Sequence, residues 1–156
     1  MTKAPRNCRL MGHQEPRDCV VRALQFSCSL DYAEAHALAK QWGRKDRRAF
    51  LTTQIRALFK HLGLRMRPDL SCRRVWSALS DMQHGRFIVN TCDHTLAVID
   101  GICYDSEFTR WNKIVEMAYE IPVDEPDFLD RFPELKRIYK IKNTHLPVIP
   151  GLPHYD

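Results

Sequence analysis

Cys19 is the residue whose surroundings most favour chemistry. It follows Asp18, a residue type that caps helices, and it opens an apolar run of Val20, Val21, Ala23, Leu24, Phe26 and Cys28. A cysteine in the first turn of such a helix lies among unpaired backbone N–H groups at the positive end of the helix dipole, surroundings that favour thiolate over thiol. A thiolate becomes an acyl-transfer nucleophile only with a partner base, and a histidine can reach it in space however far away it lies along the chain. The chain offers His13, His36, His61, His84, His94, His145 and His154.

A hairpin separates these candidates by geometry. Asp100-Gly101, set between the β-branched residues Ile99 and Ile102, is the strongest short hairpin signal in the chain. A two-residue turn there pairs 99 with 102, 97 with 104, 96 with 105 and 94 with 107. Side chains alternate with period 2, so His94, Leu96 and Val98 share a face with Cys103, Asp105 and Glu107. Asp105 becomes the diagonal neighbour of His94, close enough to hold its imidazole, and Glu107, directly opposite, is the reserve acid. Asp100 lies roughly 20 Å along the strand from His94 at the usual rise, and is a turn residue.

Taken singly, each of these residues has a plainer reading: a buried structural thiol, a hydrogen-bonded strand histidine, a surface or turn carboxylate. Their combination favours a nucleophile, a base and an orienting acid. Cys92, His94 and Cys103 raise the question of a metal, but no fourth ligand has a recognised spacing, and neither metal nor cofactor is expected. His36, His61 and His84 fall on or near helix ends. Trp42 and Trp76 sit on apolar stripes and are expected in the core.

The elements that must position these groups follow from periodicity. A nearly all-apolar helix spans residues 19 to 29. A second opens on Asp31 and Glu34, spaced as a capping box, and stops at Gly43. A third carries Ile55, Leu58, Phe59 and Leu62 and stops at Gly63, and a fourth opens at Ser71 and runs toward Gly85. From there the period changes to 2, with strands expected at 86 to 92, 94 to 99, 102 to 104 and 114 to 121. Six of the nine prolines lie in the final 35 residues, where a short helix is expected over 127 to 139 and an extended tail over 140 to 156. Helices first and an antiparallel sheet after them is an α+β pattern.

In this order of elements the chain resembles a known superfamily. The segment Gln14-Glu15-Pro16-Arg17-Asp18-Cys19, opening an apolar helix, is similar to the nucleophile region of papain-like cysteine peptidases. It most resembles the leader-peptide-processing peptidase domains of bacteriocin-exporting ABC transporters, which also show Gln, a short spacer and Asp-Cys. The likeness covers about residues 12 to 106. It implies a papain-like fold in which an N-terminal helical half packs its nucleophile helix on a C-terminal antiparallel sheet. It also implies a hydrolase domain over residues 1 to 121 and a Pro-rich extension over 122 to 156 that packs on it or extends from it. The implied activity is hydrolysis of a peptide or protein: Cys19 attacks, His94 shuttles the proton, Asp105 orients His94 and Gln14 helps to stabilise the oxyanion. Two positions depart from the family pattern. The family's glutamine stands six residues before the cysteine, where this chain has His13, and Val20 and Val21 follow Cys19 in place of small residues.

Composition sets the outer limits. The chain has 156 residues, 44% hydrophobic and 28% charged, which suits one globular domain and excludes collagen-like, disordered and coiled-coil classes. No run reaches the roughly 20 apolar residues of a membrane span and no secretory signal is present, so a cytoplasmic protein with no membrane partner is expected. The six cysteines show no regular spacing, which speaks against a disulfide framework. Charge is polarised: residues 1 to 88 hold 17 Lys and Arg against 7 Asp and Glu, and the remainder 7 against 12. The dense cluster Arg44 to Arg48 is expected to be a solvated loop, with nucleic acid the less favoured partner because basic charge alone is an unspecific signal. The competing class is a non-catalytic binding or assembly protein that keeps the fold and holds a partner by its basic half or its tail. A compact genome such as a bacteriophage's would suit either class.

Overall fold

The computed structural model describes residues 7–107 and 112–141, and every structural statement below concerns those residues. Three helices come first: α1 at Cys19–Ser27, α2 at Tyr32–Gln41 and α3 at Thr52–Leu62. The boundaries have local causes. Asp31 accepts from the Glu34 N–H at 2.7 Å while the Glu34 carboxylate accepts from the Asp31 N–H, so the capping box forms as spaced. Gly63 ends α3 in the left-handed conformation, φ 77°, which costs glycine nothing.

The sheet has strands β1 Cys8–Leu10, β2 Arg65–Met66, β3 Arg86–Asn90, β4 Thr95–Ile99, β5 Ile102–Asp105 and β6 Met117–Glu120, in the spatial order β1-β5-β4-β3-β6-β2. The β4–β5 hairpin has the register its turn demands: Ile99 faces Ile102, Val98 faces Cys103 and Ala97 faces Tyr104. Asp100 and Gly101 both take positive φ, 48° and 79°, as a two-residue turn matched to strand twist requires.

The protein is thus α+β with a six-stranded sheet, but the sheet is mixed and not purely antiparallel, because β1 runs parallel to β5. A three-residue strand carries too short a period to stand out in sequence; β1 exists because its neighbour offers an open edge. The fourth helix is also shorter than expected. Only Val75–Ala78, α4, is α-helical, followed by a 3₁₀ turn at Leu79–Asp81. Trp76 on it is 60% exposed and lies outside the core.

Apolar side chains cover both faces of the sheet. On one side, α1, α2 and α3 enclose Ile88 and Tyr119; on the other, Val75, Leu79 and Met82 pack on Phe87, Val89, Leu96 and Val98. The chain after Pro122 joins the first of these layers: α5 at Pro126–Arg131 and α6 at Pro133–Ile141 bury Phe128, Phe132 and Leu135 against it. Pro133 divides the single expected helix in two. Its ring removes an N–H donor and pushes Phe132 off helical geometry, to φ −128° and ψ 79°. Residues 142 to 156, most of the expected tail, lie outside the described residues.

Candidate active site

Cys19, His94 and Asp105 meet at one end of the sheet, where α1 begins, β4 begins and β5 ends. Each is placed by a different device. α1 is anchored at its C-terminal end: Ser27 Oγ donates to the Phe87 carbonyl, and buried Arg86 donates through Nη1 to the Phe26 and Ser27 carbonyls. His94 closes the loop between β3 and β4, with the Thr91 N–H donating to the His94 carbonyl and Thr95 Oγ1 donating to Asn90 Oδ1. Asp105 is fixed by β1, which pairs Leu10 with it and lets the Met11 N–H donate to its carbonyl.

His94 and Asp105 are both buried, and His94 Nε2 donates to Asp105 Oδ1 at 2.5 Å. Cys19 is a further hydrogen-bond partner of the ring. Burial pulls His94 toward its neutral form, yet the hydrogen bonds to Asp105 and Cys19 and the charge of the Asp105 carboxylate push it up to about 10. Its Nδ1 lies 3.2 Å from Glu107 Oε1, on a side chain that is 56% exposed. The buried carboxylate therefore fixes the ring and the exposed one approaches its open side.

The loop before Cys19 departs from expectation. Asp18 occupies the N-cap position but makes no side-chain cap bond to α1. Its carboxylate, fully buried, accepts instead from His13 Nδ1 at 2.5 Å, from the Gln14 and Glu15 N–H groups and from Tyr32 Oη. The orphan N–H groups of the first turn of α1 are thus left without that cap next to Cys19. Gln14 is not brought to the site: its side chain is exposed and does not line the cleft. His13 lines the cleft in its place.

Arg44 corrects a second expectation. It belongs to the basic cluster read as solvated loop, but it is buried, donates to Glu15 Oε1 at 2.6 Å and caps the Pro16 and Arg17 carbonyls, while Lys45, Arg47 and Arg48 are exposed. His36 adds a 3.1 Å contact to the same Glu15 oxygen. Arg22 closes the other side by donating to the Met11 and Gly12 carbonyls. Residues 11 to 18 are therefore nailed down by cations from α1 and the α2–α3 loop, which sequence spacing gave no means of pairing.

Asp18→Ala leaves four donors without their acceptor and is expected to cost about 3 kcal/mol in urea denaturation. Burial would raise the Asp18 carboxyl, but the hydrogen bonds from His13, Gln14, Glu15 and Tyr32 hold it below the usual range. A depressed folded value means that its stabilisation is fully present above the unfolded value of about 3.9 and is lost as pH falls through the folded one. The wild-type denaturation midpoint should fall across that acid range more steeply than that of Asp18→Ala.

The cleft lined by Cys19 and His94 has a volume of about 370 Å³, with Val20, Phe50 and Ile55 as apolar wall and His13, Asn90 and Glu116 among its polar groups. A larger cavity of about 780 Å³, between α2, α3 and the α5–α6 junction, includes neither Cys19 nor His94. All six cysteines are free, and among the described residues no group of three or more His, Cys, Asp or Glu side chains could hold a metal ion. No described helix is long and apolar enough to cross a membrane. Comparison with protein-family models, with curated proteins and with solved structures found no match.

Proposed function

We propose that this chain is a papain-like cysteine hydrolase, a peptidase acting on a peptide or protein, with Cys19 as nucleophile, His94 as proton shuttle and Asp105 as the acid that orients it. The observation that carries the reading is the His94 ring, held through Nε2 by buried Asp105 and with Cys19, at the opening of a helix, as a further partner. With Nε2 committed to Asp105, Nδ1 is the nitrogen left to exchange a proton with the thiol. A histidine pushed up to about 10 is an imidazolium at neutral pH, and on this reading the attacking form of Cys19 is a thiolate beside that imidazolium.

The steps follow from that state. Cys19 Sγ attacks the amide carbonyl, and the carbonyl electron pair moves to oxygen. Collapse of the adduct expels the amine, which takes its proton from His94 and leaves a thioester on Cys19. Water then gives its proton to His94, attacks the thioester and releases the acid. An amine in place of water would make the same groups an acyl transferase. The uncapped N–H groups of α1 offer donors for the developing oxyanion, an effect that is commonly the largest single contribution to such reactions. The direct test is site-resolved alkylation of Cys19 with and without His94.

A further inference from the structure

We propose that His13 is the side-chain donor to the oxyanion, the part that the resemblance assigns to Gln14. The inference rests on the hydrolase reading, and three observations support it. His13 lines the cleft together with Cys19 and His94, whereas Gln14 does not. The His13 ring is also aimed: its Nδ1 donates at 2.5 Å to Asp18, which is held by three further donors, and its Nε2 faces the Glu107 carboxylate, which only accepts, so both ring nitrogens are donors and the Nε2–H end faces the cleft.

The third observation is Glu107. Its two carboxylate oxygens span the two imidazoles, Oε2 at 3.2 Å from His13 Nε2 and Oε1 at 3.2 Å from His94 Nδ1. A carbon bearing two oxygens therefore fits between the rings beside Cys19. An acyl carbon under attack has the same form, with its oxyanion on one side and its leaving group on the other. The leaving group must face His94, which supplies its proton, and the oxyanion then falls to His13. The electron pair displaced from the carbonyl is held as O⁻ by the Nε2–H hydrogen bond and returns to carbon as the amine departs; His13 keeps its proton throughout. Burial disfavours charge on His13, but Asp18 and Glu107 outweigh it and raise the group above its ordinary value. Glu107, exposed and on the rim, holds the donor in the free protein and yields it to substrate.

Peptide aldehydes and iodoacetamide separate this role from a structural one. An aldehyde adds to Cys19 and places an oxygen where the oxyanion sits, whereas iodoacetamide alkylates the thiol without generating one. A panel of N-acetyl dipeptide aldehydes, varied in both side chains, selects the tightest binder to the full chain. His13→Ala is expected to weaken that binder on the order of 100-fold beyond any change in the rate of Cys19 alkylation, and His13→Gln, which restores an N–H donor, to recover most of the loss. Glu107→Ala is expected to tighten the aldehyde, because the competing carboxylate is gone. If wild type binds aldehyde and His13→Ala binds it equally well, with alkylation intact, the role of His13 is overturned and the hydrolase reading stands. If no aldehyde binds the wild type and alkylation of Cys19 is indifferent to His94, both are overturned.

Discussion

Alanine at Cys19 and alanine at His94 are each expected to lower kcat on the order of a million-fold, and the double variant to be no slower than either single one. The non-additivity is the informative part. A nucleophile and its base form one device, so removing either removes the device, and what survives is the contribution of binding and of oxyanion donors. Two residues contributing separately would instead multiply their losses. The measurement is hydrolysis of whichever member of a mixed peptide library the wild-type chain cuts, with Cys72→Ala, an exposed thiol outside the cleft, as the control expected to retain full activity. Retention of more than a few per cent of wild-type turnover by Cys19→Ala would remove it as the nucleophile.

Asp105→Asn should have the next largest effect, a loss on the order of ten-thousand-fold, by analogy with the loss of the orienting acid in other triads. The amide has nearly the shape of the carboxylate, so the fold should persist while the charge that holds His94 disappears. Glu107 does not replace it, because it reaches the opposite nitrogen from an exposed position. The same variant has a second readout. Titration of His94 by NMR should give about 10 in the wild type and fall toward the ordinary value near 6.5 when Asp105 is neutral. The sign of the linkage follows. A raised folded value means that the pair's contribution to stability is fully present below about pH 6.5 and is lost as pH climbs through about 10. In Asp105→Asn that alkaline loss should shrink.

The parts of this site visible in sequence are those with local causes. Asp100-Gly101 dictates its own turn, the turn dictates the register, and the register brings Asp105 to His94 across eleven positions of chain. The capping box of α2 and the Gly63 stop of α3 are equally local. What sequence could not show is set at long range. Gln14 and His13 are neighbours, and which of them enters the cleft depends on the path of residues 11 to 18, fixed by Arg22 from one side and Arg44 from the other. Arg44 looked like part of a solvated basic loop because its partner, Glu15, lies 29 positions away. β1 was invisible because its three residues pair with a strand nearly a hundred positions on. Trp76 is exposed because the buried stripe runs through Val75, Ala78, Leu79 and Met82, and the position next to Val75 on a helix points about 100° away from it.

The claim on which everything else depends is that Cys19 and His94 act as a pair. Reaction with iodoacetamide at pH 6, followed by peptide mass spectrometry that resolves each cysteine, tests it without any knowledge of the substrate. An ordinary exposed thiol, titrating near 8.5, is less than about 1% thiolate at that pH, and Cys72, exposed and outside the cleft, serves as the internal reference. Cys19 is predicted to react at least about tenfold faster than Cys72, and His94→Ala is predicted to abolish that excess while leaving Cys72 unchanged. Alkylation of Cys19 no faster than Cys72, and at the same rate in wild type and His94→Ala, would contradict the account.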